Sequence, residues 1–298
     1  STSLDNCIRY SNPEEKELSM CFNFHHLKVD YKNGNKWELM DTDRKELKRL
    51  FEEWQIGMQE HNGWNSLFWC NHDQPRIVSR MGNEGTYWKQ SAKMLAAAVH
   101  LMRGTPYIYQ GEEIGMPNAH FKDINDYRDV ESLNYYEILL KEGKTKEEAI
   151  KTLQERSRDN SRTPMQWSDE KNAGFSDVIP WISLPDHYKE INVENELRDE
   201  DSIYYFYKKL IELRKEKEVI QEGTIEFFEK DDDDLLAYER NYKEEHLVVF
   251  NNLTEKEKEV EIPQLWTSYH KLIGNYDTEN MKENKVVLRP YETLVLEK

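Results

Sequence analysis

Up to about residue 220, short apolar runs alternate with apolar positions at helical spacing. Met20-Cys21-Phe22-Asn23-Phe24 predicts a strand, and Asp43 to Gln59 predicts a helix, with Leu47, Leu50, Phe51 and Trp54 at i, i+3, i+4, i+7 behind an Asp43-x-x-Glu46 cap. Ser66 to Cys70 predicts a second strand. Lys89 to Arg103 follows as a helix stopped by Gly104, and Thr105 to Gln110 as a third strand. A late amphipathic helix over Ser202 to Lys217 carries Ile203, Phe206, Leu210 and Leu213 on one face. Strand, helix, strand, helix, strand is the order of a parallel α/β fold.

From Thr224 onward the period changes to that of strands: Ile225 to Phe228, Leu235 to Tyr242, His246 to Asn251, Glu259 to Ile262, Val286 to Leu288 and Thr293 to Leu296. Short strands with turns between them predict an antiparallel β-sandwich. The chain therefore divides into an α/β part, residues 1–223, and a sandwich, residues 224–298, expected to fold as a separate cooperative unit. Between the third strand and the late helix lies a long insertion, residues 111–200, with one clear helix behind a Thr145-x-x-Glu148 capping box. Asp231-Asp232-Asp233-Asp234 lacks the spaced carboxylates and glycine of a calcium loop and reads as a solvated turn.

Composition narrows the partners. The balance of 41 basic against 58 acidic residues, net charge -17, argues against nucleic acid and anionic lipid. Cys7, Cys21 and Cys70 have no metal-ligand spacing and read as reduced thiols, so neither a metal nor a cofactor is expected and a cytoplasmic location is. No run reaches the ~18 apolar residues of a membrane span, and Ser1-Thr2-Ser3-Leu4-Asp5 does not have the pattern of a signal peptide.

The chemistry concentrates where the apolar run Ser66-Leu67-Phe68-Trp69-Cys70 ends in Asn71-His72-Asp73-Gln74-Pro75-Arg76. A buried strand that delivers an imidazole and a carboxylate at its end places them at the rim of a core, where parallel-barrel enzymes keep their reacting groups. The insertion adds three polar phrases: Gly111 to Met116, Tyr127-Arg128-Asp129-Val130-Glu131, and Ser157-Arg158-Asp159-Asn160-Ser161-Arg162-Thr163-Pro164-Met165-Gln166-Trp167. Their alternating arginines and carboxylates read either as ion pairs that pin a loop, Arg162 and Asp159 among them, or as part of the substrate pocket that barrel enzymes build from such loops.

Asn71 to Arg76, then Gly104-Thr105-Pro106-Tyr107-Ile108-Tyr109-Gln110-Gly111-Glu112-Glu113, then Arg158 to Trp167, in that succession, resemble the α-amylase superfamily of retaining α-glucosidases, in the branch that holds oligo-1,6-glucosidases and trehalose-6-phosphate hydrolases. The resemblance extends to Leu288-Arg289-Pro290-Tyr291-Glu292 and implies the C-terminal part of a (β/α)8 TIM barrel, its three strands resembling the sixth to eighth, followed by an antiparallel β-sandwich. In that family the nucleophile follows the fourth strand and the acid/base glutamate the fifth. The chain is thus expected to lack both and to be inactive alone, with self-association or pairing with an N-terminal half covering the cut barrel.

Retaining glycosidases use two carboxyl groups about 5 Å apart through an oxocarbenium-like transition state. The resemblance assigns Asp73 to a third carboxylate that holds sugar hydroxyls, His72 to the imidazole that binds the same sugar unit, and Arg158 to the arginine that clamps it. The branch is decided by Phe22-Asn23-Phe24-His25-His26-Leu27-Lys28-Val29-Asp30-Tyr31 and Asn33-Gly34-Asn35-Lys36-Trp37. Lys28 and Lys36, with His25 nearby, supply the cations that a 6-phosphate needs, although both lysines also read as surface residues of a turn. The expected substrate is trehalose 6-phosphate, cleaved to glucose and glucose 6-phosphate. The alternatives are an oligo-1,6-glucosidase or dextran glucosidase, and a non-catalytic amylase-like binding or scaffold protein.

Overall fold

The computed structural model describes residues 2–298; Ser1, the first residue of the opening segment, lies outside them. Helix α1 (Leu4–Ser11), capped by Ser3, precedes strand β1 (Cys21–Phe22), helix α2 (Arg44–Glu60) and strand β2 (Asn65–Leu67). Helices α3 (Ile77–Met81) and α4 (Trp88–His100) lead to strand β3 (Thr105–Pro106). The three strands pair in parallel in the order β1-β2-β3, Cys21 opposite Asn65 and Ser66 opposite Thr105. Each is shorter than its apolar run, because the last residues of the run leave the ladder and carry the polar segments outward.

Helix α2 begins where expected: the Asp43 carboxylate accepts from Glu46 N, worth about 1 kcal/mol. Leu47, Leu50, Phe51, Trp54 and Met58 form its buried stripe. Helix α4 stops at His100, short of Gly104. Gly104 has another role. Its φ is +147°, and a Cβ there would lie 2.6 Å from the Asn65 carbonyl oxygen, so only glycine lets β3 approach β2.

The insertion is more ordered than one helix. It holds α5 (Val130–Lys141), α6 (Lys146–Arg156), behind the expected Thr145/Glu148 capping box, and the short α7 (Val193–Arg198). Helices α8 (Ile203–Glu216) and α9 (Glu218–Glu222) close the α/β part.

Strands β4 (Thr224–Phe228), β5 (Leu235–Tyr242), β6 (Glu245–Asn252), β7 (Lys258–Glu261), β8 (His270–Gly274), β9 (Met281–Lys282), β10 (Lys285–Leu288) and β11 (Thr293–Glu297) build two antiparallel sheets, β4-β5-β6-β11-β8 and β7-β10-β9. Strands β8 and β9 were not legible as apolar runs. Leu235, Ala237, Val248 and Phe250 meet Val260, Val286 and Leu288 between the sheets. The other face of the larger sheet, with Leu236, Tyr238, Val249 and Val295, shares one apolar cluster with α4 and α8. The sandwich thus packs its second face against helices of the α/β part, which bears on whether it unfolds separately: a sheet buried on both faces owes part of its apolar burial to those helices.

The acidic run is also less solvated than expected. Lys48 Nζ donates to the carbonyls of Glu229 (2.8 Å) and Asp232, Lys258 pairs with Asp232 and Asp234 at 3.0 Å, and Arg44 pairs with Asp234 at 2.7 Å. Lys48 and Arg44 dock the turn onto α2, and Lys258 ties it to β7. Among the described residues no group of His, Cys, Asp and Glu is arranged to hold a metal ion, and no helix is long and apolar enough to cross a membrane.

Candidate active site

Where β2 ends, the chain turns sharply. The Asn71 side-chain oxygen accepts from Asp73 N at 2.8 Å, and Arg76 N donates to the Asn118 side chain at 2.9 Å. These two bonds expose His72 and Asp73 while Arg76 is buried beneath them. Gln74 fastens the turn to the segment after β1: its side-chain oxygen accepts from Arg80 at 3.0 Å and from the Tyr31 hydroxyl at 3.4 Å. Arg80 in turn pairs with buried Asp30 at 2.7 Å, and Arg156 of α6 pairs with the same carboxylate. Burial pushes the Asp30 carboxyl up, and the two guanidiniums more than offset it, so it stays ionised below the ordinary range. Sequence reasoning missed this triad, since nothing in the spacing of residues 30, 80 and 156 links them.

Around Asp73 the third phrase of the insertion closes in. Arg162 donates to the His72 carbonyl and to Asp73 Oδ1, both at 2.8 Å, and Arg158 Nη1 lies 3.6 Å from the same oxygen. His72 Nε2 is 3.3 Å from Asp73 Oδ2. Arg158 grips Asp129 with two contacts, 2.6 and 3.1 Å, and lies 3.2 Å from Glu131, which pairs with Lys36 at 2.9 Å. Asp159 points the other way: its carboxylate accepts from the main-chain N–H groups of Arg128 and Asp129, pinning the second phrase to the third. The structure therefore brings together His72, Asp73, Arg158 and Lys36, and adds Arg162, Asp129 and Glu131.

Lys28 and His25 do not join this group. A 3₁₀ turn over His25–Lys28 sends them to a groove lined also by Glu46, Arg49, Glu53 and Trp54, with His25 stacked on Trp54 at 5.2 Å. The second turn, Lys32–Gly34, and the Tyr31–Leu39 bridge carry Lys36 away from that groove, onto the Trp37 ring. Buried His26, from the same phrase, holds the Phe68 carbonyl at 2.9 Å, and burial lowers its pKa to about 4.

A carboxylate and an imidazole at a strand end, ringed by arginines, offer closely spaced hydrogen-bond donors and acceptors to a polar ligand. The family model described as "Alpha amylase, catalytic domain" matches residues 1–223. The chain belongs to the α-amylase family. Within this family a second model, the C-terminal domain of the α-amylase SusG, matches residues 235–295. The chain is 49% identical over 300 residues to trehalose-6-phosphate hydrolase from Bacillus subtilis, covering 99% of the chain and 53% of that protein. It is 46% identical to the oligo-1,6-glucosidase of Bacillus cereus, over 96% of the chain and 52% of that protein. The crystal structure of Bacillus licheniformis trehalose-6-phosphate hydrolase superposes with a TM-score of 0.96 at 53% identity, over 100% of the chain and 54% of that structure. The chain spans about half the length of the curated relatives it matches.

Beneath the site of this α-amylase family chain lies a carboxyl in an unusual state. Glu112, in the 3₁₀ turn after β3, is buried against Cys70, and the Tyr207 hydroxyl donates to its Oε1 at 2.9 Å while Oε2 has no partner. Burial raises its pKa to about 7; the bonds from Tyr207 and Cys70 pull it down and nearby Glu113 pushes it further up. Because the folded value lies above the unfolded one, the native state holds a proton that the unfolded chain has lost between about pH 4.5 and 7. This contribution to stability is full below that window and is lost as pH rises through 7. Glu112→Gln, which cannot ionise, is expected to gain about 2–3 kcal/mol relative to wild type between pH 5 and pH 8. Urea unfolding at the two pH values measures it; parallel pH dependence of variant and wild type would show that Glu112 ionises freely.

Proposed function

We propose that this chain is part of a retaining glycoside hydrolase that cleaves trehalose 6-phosphate to glucose and glucose 6-phosphate. The observation that carries this reading is the convergence of Asp73, His72, Arg158 and Arg162 with Lys36 a short step away through Glu131. Asp73 is assigned to the sugar hydroxyls of the distorted ring, His72 and Arg158 to binding the same unit, and Lys36 to the phosphate. Lys28 and His25 belong to the separate groove, so their assigned part in phosphate binding has no support from their placement.

In this reading residues 1–223 are the back part of the barrel with its insertion, β1, β2 and β3 standing as its last three strands, and 224–298 are the domain that follows. The order of the two family matches along the chain supports it. The nucleophile and general acid then lie on another part of the barrel, and the chain alone is inactive. The half-exposed side chains of Phe22, Phe24, Tyr107 and Ile108 beside the short parallel sheet support pairing with that part, or with a second copy. Three free, buried cysteines fit a reducing cytoplasm.

The second reading is an oligo-1,6-glucosidase, favoured by the Bacillus cereus relative. Lys36→Ala in the full-length enzyme separates the two. A charge-assisted contact is worth about 1.5–3 kcal/mol, so kcat/KM for trehalose 6-phosphate is expected to fall roughly 10- to 150-fold while isomaltose turnover changes much less. Equal losses on both substrates would favour the oligo-1,6-glucosidase; no turnover of either would favour a non-catalytic binder.

A further inference from the structure

Lys36 and Arg158 converge on one atom. Glu131 Oε2 lies 2.9 Å from Lys36 Nζ and 3.2 Å from Arg158 Nε. The three groups are not equally fixed. Arg158 keeps a second anchor in buried Asp129, and the Lys36 ammonium lies 4.7 Å from the centroid of the Trp37 ring, which is itself stacked on Tyr135 at 4.6 Å. Glu131 stands in the first turn of α5 with its side chain 38% exposed, against 16% for Lys36 and 27% for Arg158. The cations are held from behind, and the anion is the member with room to leave. Among the described residues Glu131 is also the sole ion-pair partner of Lys36.

We propose that Glu131 is a stand-in anion, its carboxylate occupying the place between Lys36 and Arg158 that the phosphate of a sugar phosphomonoester takes, and swinging toward solvent when that group binds. This rests on the phosphate reading above. A phosphomonoester carries about 1.5–2 negative charges at pH 7 and cannot share two cations with a carboxylate at hydrogen-bond distance without strong repulsion. Binding is therefore an exchange, and the observed affinity is reduced by the fraction of molecules in which Glu131 already points away. With no ligand present, Glu131 keeps both cations in position and shields them from stray anions. A neutral sugar leaves the Lys36–Glu131 pair in place and meets no such competition. Glu131 thus sets how strongly phosphorylated sugars are preferred, and the native enzyme stands below the preference its cations alone would give.

Calorimetric titration of the chain with glucose 6-phosphate and with glucose tests the exchange. Removing the competitor is expected to raise the preference of Glu131→Gln for glucose 6-phosphate over glucose roughly 5- to 20-fold relative to wild type. Glu131→Asp, charged but too short to reach Lys36, should give a smaller rise, and adding Lys36→Ala to Glu131→Gln should cancel it. A melting temperature for each variant guards against loss of fold, and Glu131→Asp carries the test if the glutamine variant unfolds. Unchanged or weaker preference in both Glu131 variants, with Lys36→Ala still losing glucose 6-phosphate, would overturn the exchange and leave the phosphate reading standing. Equal binding of glucose 6-phosphate by wild type and Lys36→Ala, or no binding by wild type and Glu131→Gln alike, would overturn both.

Discussion

Asp73→Asn in the full-length enzyme proposed above is expected to lower kcat/KM by about 10³-fold. Asp73 is the carboxylate of the cluster that stands at the end of the β2 run, open to a ligand and fixed by two cations, with Arg162 at 2.8 Å and Arg158 at 3.6 Å. On that proposal asparagine keeps the shape but removes the charge that holds the hydroxyls of the distorted sugar ring in the transition state, and it leaves two guanidiniums aimed at a neutral amide. Asp129 cannot substitute. It is buried, and although burial pushes its carboxyl up, Arg158 more than offsets this and keeps it ionised. Glu112 cannot substitute either, since it is buried beneath the site, with the Tyr207 hydroxyl donating to its Oε1 at 2.9 Å. Steady-state kinetics on trehalose 6-phosphate gives the answer; a loss under ten-fold would remove Asp73 from the reacting centre and leave it as the cap of a turn.

The elements that sequence reading located are those whose signal is local. The Asp43 and Thr145 caps and the stripe of Leu47, Leu50, Phe51 and Trp54 depend on residues within a few positions of one another, and the structure shows all three. Strands β4, β5, β6, β7, β10 and β11 were legible because their apolar runs are bounded by turns. Strand β8, His270-Lys271-Leu272-Ile273-Gly274, has a single apolar pair between two polar residues and a glycine, and only pairing with β11 reveals it. The site divides in the same way. His72 and Asp73 announce themselves by ending an apolar run, whereas Glu131, Asp129 and Arg162 acquire their place through distances that no spacing encodes. Lys28 and Lys36 show the error that sequence proximity invites. They are eight residues apart, yet two 3₁₀ turns and one bridge send the first to the groove beside α2 and the second to Arg158's neighbourhood.

The largest loss of stability is expected from Arg240→Met, and it bears on whether the sandwich folds with the rest. Arg240 of β5 is fully buried without a carboxylate. It donates to four main-chain carbonyls: Thr224 at 3.0 Å, Gly223 at 2.8 Å, Ile220 at 3.2 Å, and Leu101. Leu101 caps α4, while Ile220 and Gly223 belong to the end of α9, so one side chain satisfies carbonyls that helix ends leave without partners and ties them to the sheet. Burial lowers the Arg240 pKa, and nearby Arg214 and Arg103 add to this; the carbonyl dipoles hold the charge in place. Methionine matches the length of the stem but donates nothing. Four buried acceptors then lose their donors at about 1 kcal/mol each, some 4 kcal/mol in all, which corresponds to a fall in melting temperature of about 10 °C. Because the Tyr238 hydroxyl donates to Ala98 O at 3.0 Å across the same boundary, the loss should be shared: amide exchange should quicken in β5, β6 and α4 together. Faster exchange in the sheet alone, with α4 and α8 as protected as before, would mean that residues 224–298 unfold as a unit of their own and that the apolar cluster they share with the helices contributes little to cooperativity.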